Sequence, residues 1–244
     1  STGFNHASRG TGLHQILAQD AGYRLFFADR VHKLFQNGGS LSSARASTVW
    51  NNLAAEIRPA LVAESARWGD SHRASNPYKP DTEWEKEISW MTGTFFVQRP
   101  AIVLNQFRAR NLYPALAPPS FSQHGGSIAS GSIVNLSGAS GDIYYTTDGS
   151  DPRTPNDTIN PLAIQGEAFQ ITKALILNAR IKDGEIWSPL TEAPFSVQLQ
   201  LRINEIHYQP KDAIHSEFIE IENSGPGPAS LDGVRFSDGI DFSF

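Results

Sequence analysis

Several groups of residues in this chain have the side chains that chemistry requires. Asp148, Ser150, Asp151 and Asp157 bring oxygen donors close together in sequence, the material of a Ca²⁺ loop. They lack the alternating acidic spacing and the distal Glu of an EF-hand. The run also opens on Asp148-Gly149, a dipeptide suited to tight turns, and a turn is the preferred reading. Tyr144, Tyr145 and Trp187 offer aromatic faces of the kind that stack on the apolar faces of pyranose rings. Neighbours on a strand point to opposite faces, so one of the two tyrosines is expected in the core. Tyr145 and Trp187 are read as structural residues of a small core, and Tyr144 and Trp187 are the candidate contacts of the alternative, carbohydrate reading.

Glu220 and Glu222 could act as an acid–base pair, but strand alternation places them with Phe218, opposite Ile219 and Ile221, so both are read as facing solvent. His207 and His215 flank a loop near those carboxylates. No spacing fixes them as metal ligands, and plain loop histidines are preferred. His6, His14, His32, His72 and His124 are scattered, without a His-x-x-x-His or His-Glu-x-x-His pair. Asp29 falls on the polar side of a helical pattern and Asp70 follows a glycine able to end one, so both are read as solvated or capping rather than catalytic.

The elements that would position these residues change character at the Pro-rich stretch from Tyr113-Pro114 to Pro118-Pro119. Before it the apolar residues recur at helical spacing, and after it they alternate as in strands. Asp20 is an expected N-cap for a helix carrying Tyr23, Phe26, Phe27, Val31, Leu34 and Phe35 on one face, ended by Asn37-Gly38-Gly39. Ser42 is expected to cap a second helix with the stripe Val49, Trp50, Leu53 and Ile57, with Pro59 kinking it or opening a further helix toward Trp68-Gly69. Thr82 and Glu85 have capping-box spacing ahead of Trp84, Ile88, Met91 and Phe95. Pro100 is expected to bend or restart that helix. These aromatic residues lie on the helical period and are read as core rather than as a ligand box.

Beyond the Pro-rich stretch, Ser132 to Ser137, Ile143 to Thr147, Leu175 to Ile181 and Phe195 to Leu201 read as strands. With turns at Asp148-Gly149 and Asp183-Gly184, they imply an antiparallel all-β module closing as a small sandwich.

The 244 residues are 39% hydrophobic and 18% charged, which suits globular domains with more than one modest core. A formal net charge of -5 with dispersed Lys and Arg supplies no basic field, so nucleic acid is not an expected partner. The absence of Cys removes disulfides, thiolate zinc sites and thiol nucleophiles. Apolar runs such as Ala101 to Leu104 fall far short of the roughly 20 residues of a membrane span. The chain begins at Ser1 rather than Met and stops at Phe244 within a strand-like alternation, so a piece of a longer protein is expected.

Three resemblances follow from longer words of sequence. Tyr23 to Lys33, Phe35-Gln36-Asn37-Gly38-Gly39, Ala63 to Asp70, Arg99, Ile102-Val103-Leu104 and Arg108-Ala109-Arg110 resemble the C-terminal helical part of CotH-type kinases, an atypical protein-kinase family. The resemblance implies that nucleotide- and metal-binding residues belong upstream. No Gly-rich phosphate loop, strand-anchored Lys or catalytic Asp loop is present here. Ile143 to Pro152, with Leu177 to Ile181 and Trp187-Ser188-Pro189, is similar to the chitobiase and β-hexosaminidase C-terminal domain. That likeness implies an immunoglobulin-like accessory sandwich and no glycosidase activity of its own. Leu201 to Tyr208, Glu217 to Asn223 and Leu231 to Gly239 resemble the opening strands of a lamin-tail domain.

The expected fold class is therefore multidomain α plus all-β: a helical subdomain over 1–113, a linker at 114–119, an immunoglobulin-like β-sandwich over 120–198, and the incomplete N-terminal part of a second over 199–244. The expected function is that of a non-catalytic accessory and interaction region of a large exported or cell-envelope bacterial protein, with the sandwiches as spacer or adhesion domains. Two alternatives stand beside it: the supporting lobe of an ATP-dependent Ser/Thr kinase, and a carbohydrate-binding module. No cofactor is expected in this segment; ATP and a divalent metal are expected only for a parent kinase. A protein or a cell-surface glycan is the expected partner, no membrane span is expected, and oligomeric state is left open.

Overall fold

The computed structural model describes residues 12–71, 73–208, 217–225, 231, 234–236 and 242–244. Its contacts separate a unit ending at Ala115 from one beginning at Leu116. The first is helical and the second is mostly strand. Among the described residues no helix is long and apolar enough to cross a membrane.

The helical unit contains α1 (Gly12–Leu17), α2 (Ala21–Phe35), α3 (Ser43–Trp68), α4 (Glu85–Trp90) and α5 (Phe96–Arg108). Cap chemistry sets the first long helix: the Asp20 carboxylate accepts from the Tyr23 N–H at 2.7 Å, satisfying a donor that the first turn leaves without a partner. Asn37 and Gly38, both at positive φ, carry the chain away from the end of α2. Ser42 caps α3 in the same way through the Arg45 N–H. The helix then runs through Pro59 to Trp68 without opening a new one. Gly69 follows for want of space, since a Cβ there would lie 2.4 Å from the Ser65 carbonyl oxygen and 2.7 Å from that of Tyr78.

The expected Thr82–Glu85 capping box does not form. Pro80 takes the first position of a π-helical turn, Pro80–Trp84, because its fixed φ suits a helix start and its missing N–H is not needed there. The start therefore lies upstream of Thr82. Glu83 instead reaches back to the Lys79 N–H at 3.0 Å, while Glu85 pairs with Arg58. The Thr82 hydroxyl, the Arg73 guanidinium and the Lys79 N–H together hold the Glu83 carboxyl down to about 2.

A second π-helical turn, Met91–Phe95, joins α4 to α5. Pro100 neither ends nor restarts α5, which continues to Arg108. As proline has no N–H, the Phe96 carbonyl four residues earlier loses its usual donor. The Ser43 hydroxyl donates to that carbonyl instead, at 2.6 Å.

The buried core of this unit is small: Ala28, Val31, Leu104 and Tyr113, with Phe27, Phe35 and Phe107 packed around them. Much of the expected apolar stripe lies outside it. Val49, Leu53 and Ile57 on α3 are each about half exposed, and Phe26 and Leu34 on α2 are exposed as well.

The second unit contains β1 (Ser120–Phe121), β2 (Gly126–Ala129), β3 (Ser132–Ser137), β4 (Asp142–Thr146), β5 (Ile164–Gln165), β6 (Ala168–Ile171), β7 (Leu175–Asp183), β8 (Ile186–Trp187) and β9 (Thr191–Gln198). It continues with β10 (Leu201–His207), β11 (Phe218–Asn223), β12 (Arg235–Phe236) and β13 (Phe242–Ser243). One sheet has the order β1-β3-β6; a second has the order β2-β9-β7-β4-β5, with β8 beside β7. Their facing sides share one core, built from Val134, Leu136 and Ile171 of the first sheet and Ile143, Tyr145, Leu177, Ile181 and Phe195 of the second. Burial of each large aliphatic or aromatic side chain contributes about 1.5–3 kcal/mol before entropy is counted.

The sheet is not purely antiparallel as expected, because β2 pairs with β9 in parallel. Between β1 and β2 the chain crosses from one sheet to the other rather than turning back as a hairpin. Gly125 makes the crossing at φ 71, where a Cβ would stand 2.6 Å from the Pro194 carbonyl oxygen. The expected strand from Phe195 to Leu201 is also shifted. β9 starts at Thr191 and passes through Pro194, one residue before its pairing with β2 begins; Leu201 opens the next strand. Of the stretch read as a linker, Leu116 packs against the β core, and the buried Pro119 accepts from the Thr191 hydroxyl at 2.7 Å.

β10 and β11 pair only with each other among the described residues, as do β12 and β13. Their register aligns Ile203 with Ile221 and Ile206 with Ile219, interrupted by a bulge between Ile203 and Glu205.

Candidate functional site

The candidate contacts Tyr144 and Trp187 lie on the side of the five-strand path that faces away from the core. Along β4, Ile143 and Tyr145 turn inward while Tyr144 and Thr146 turn outward; along β7, Leu177, Ala179 and Ile181 turn inward while Asn178, Arg180 and Lys182 turn outward. Tyr145 is thus the core tyrosine, packed edge-on against Phe169, and burial raises its phenol pKa. Tyr144 and Trp187 stand next to each other, ring centroids 6.1 Å apart and planes tilted by 59°.

That outer face is not open. The loop between β4 and β5 folds over it, and the outward side chains hold the loop down. Asn178 donates through Nδ2 to the carbonyls of Gly149 and Ser150, at 2.8 and 3.0 Å. The Thr146 hydroxyl also donates to Ser150. Arg180, only 1% exposed, donates from Nε and Nη2 to the two carboxylate oxygens of Asp151, and from Nη1 to the Ser188 carbonyl at 2.8 Å. Trp187 is 4% exposed, and its indole N–H donates to the Asp157 carbonyl at 3.1 Å. Tyr144, half-buried, keeps more of its ring accessible than Trp187, so a stacked sugar would meet Tyr144 first.

The oxygen donors with the composition of a Ca²⁺ loop take part in the same construction. Asp148 accepts from the Ser150 N–H and hydroxyl, which closes the turn and lowers the Asp148 pKa. Asp151 accepts from Arg180, and Asp157 from Arg153. Gly149 completes the turn at φ 81. Among the described residues no group of three or more His, Asp or Glu side chains comes together to hold a metal ion.

The remaining candidates are dispersed. Asp29 is half-buried on α2 and acts electrostatically on the Tyr113 phenol, while Asp70 is exposed after Gly69. Burial pushes Tyr113 up to about 12; Arg108 opposes this and Asp29 adds to it. His14 is hydrogen-bonded to the Tyr23 hydroxyl at 2.9 Å, and His32 is buried in α2. His124 stacks on Phe121, and burial lowers its pKa against the pull of Glu192. His6, His72 and His215 lie outside the described residues. His207 stacks on Phe218 at 5.0 Å. Glu222 is paired with Arg202, and Glu220 accepts from Asn204, so the two carboxylates have separate partners on β10.

Sequence reasoning did not find the buried role of Arg180 and Asn178. Their alternation with Leu177, Ala179 and Ile181 is the signal that could have placed them on the outer face, but nothing in that pattern indicates that a distant loop covers it. Compared with protein-family models, curated proteins and solved structures, the chain matches none.

Proposed function

We propose that this chain is a non-catalytic accessory and interaction region of a larger exported or cell-envelope protein of the CotH-like type. In this reading its two β modules are immunoglobulin-like sandwiches that act as spacers or adhesion domains. The observation that carries it is that polar side chains are used up in fixing one loop: Asn178 and Arg180 on the outer face of the larger sheet hold it down, and Asp148, Asp151 and Asp157 within the loop accept hydrogen bonds that close it. A module whose polar residues stiffen its own loop suits mechanical spacing and presentation better than turnover of a substrate. For the first module, a three-strand sheet and a second sheet sharing one core between them support the sandwich description.

The test is calorimetric titration of the chain with Mg-ATP, alongside a radiolabel autophosphorylation assay. No heat of binding and no incorporated label are expected. Micromolar affinity accompanied by incorporation of label would replace this reading with that of a kinase.

The reading as a supporting lobe of an ATP-dependent kinase has one observation in its favour. The half-exposed stripe Val49, Leu53 and Ile57 on α3 is the kind of helix face that another domain covers.

A further inference from the structure

No further inference is drawn: the strongest candidate, the apolar cleft between the β10–β11 pair and the β12–β13 pair, is lined by Phe218, Phe236, Phe242 and Phe244, and nothing in the structure shows what covers it.

Discussion

Arg180 meets Asp151 side-on, with Nε and Nη2 each 2.7 Å from a different carboxylate oxygen, joining the centre of β7 to the loop that follows β4. The two ends of the pair are unequal, because Arg180 is 1% exposed whereas Asp151 is 36% exposed. Removing the carboxylate strands a guanidinium away from water; removing the guanidinium leaves a carboxylate that water can still reach. Asp151→Ala is therefore expected to cost about 3–5 kcal/mol, and Arg180→Met less. The double variant should cost less than the sum of the two. Denaturant unfolding of the four proteins checks this, and costs that simply add in the double variant would show that the pair does not anchor the loop.

The Ser43 hydroxyl substitutes for the N–H that Pro100 lacks. Ser43→Ala is expected to cost about 1–2 kcal/mol, since the Phe96 carbonyl loses its donor. Pro100→Ala returns a backbone N–H to that carbonyl, so in its background the same serine substitution should cost only a few tenths of a kcal/mol. A thermodynamic cycle on unfolding midpoints measures the coupling. An undiminished serine effect in the Pro100→Ala background would break the argument.

Tyr113 makes the helical unit sensitive to high pH. Its phenol titrates near 12 in the folded chain against an ordinary value of 10.0, so the folded state holds the proton more tightly. The stabilisation is fully present below about pH 10 and declines as pH rises from about 10 toward 12, where the unfolded chain ionises first. Tyr113→Phe should flatten this decline in helical circular dichroism. An ultraviolet titration should show one phenol ionising together with loss of helix. If Tyr113 ionised at pH 10 with helicity unchanged, its burial would not govern its chemistry.

Helix starts at Asp20 and Ser42 were legible because a cap is a local event: a side-chain oxygen and an N–H three residues away decide it. Thr82 and Glu85 misled because their spacing fits a cap equally well, while Pro80 and Glu83 settle the start just upstream. The period along α3 marked an apolar stripe and the run from Leu175 to Ile181 marked a strand, but neither shows what covers each face. Val49, Leu53 and Ile57 were expected to be buried and are not; Asn178 and Arg180 sit on a polar face that a loop seals. The parallel β2–β9 pair was beyond reach for the same reason, since residues 126 and 195 become neighbours only through the whole fold. At the candidate site, alternation separated Tyr144 from Tyr145 correctly. It could not show that Trp187 lies under the loop.

The aromatic pair separates structural from binding roles. Trp187→Ala removes a buried ring and the hydrogen bond to Asp157, and is expected to destabilise the β unit by about 3–5 kcal/mol. Tyr144→Ala should cost about 1–2 kcal/mol, because its ring is only half-buried. If the chain binds glycans through this face, glycan-array signal should vanish in Tyr144→Ala while the melting temperature falls only slightly. Retention of array binding by that variant would remove Tyr144 from the carbohydrate reading.

The strand pairs after Gln198 are expected to open before the sheets that precede them. β7 lies between β4 and β9, with Leu177, Ala179 and Ile181 fully buried, so its amides can exchange only when the two-sheet core separates. β11 has β10 as its one described neighbour, and Phe218 on β11 with Ile203 and Ile206 on β10 remain about half exposed. A lone two-stranded ladder is marginal in water, because each strand has hydrogen-bonding partners on one side and little apolar surface is removed from solvent. Hydrogen exchange on the intact chain should therefore show strong protection from Leu175 to Ile181 and weak protection from Phe218 to Ile221. Low denaturant should accelerate the exchange of β7 steeply, as expected for opening through global unfolding, while β11 exchanges by local opening and hardly responds. If the two segments showed equal protection and equal denaturant dependence, β10 and β11 would belong to the same cooperative unit as the larger sheet, and a surface of the chain would have to cover Ile203, Ile206 and Phe218 in solution.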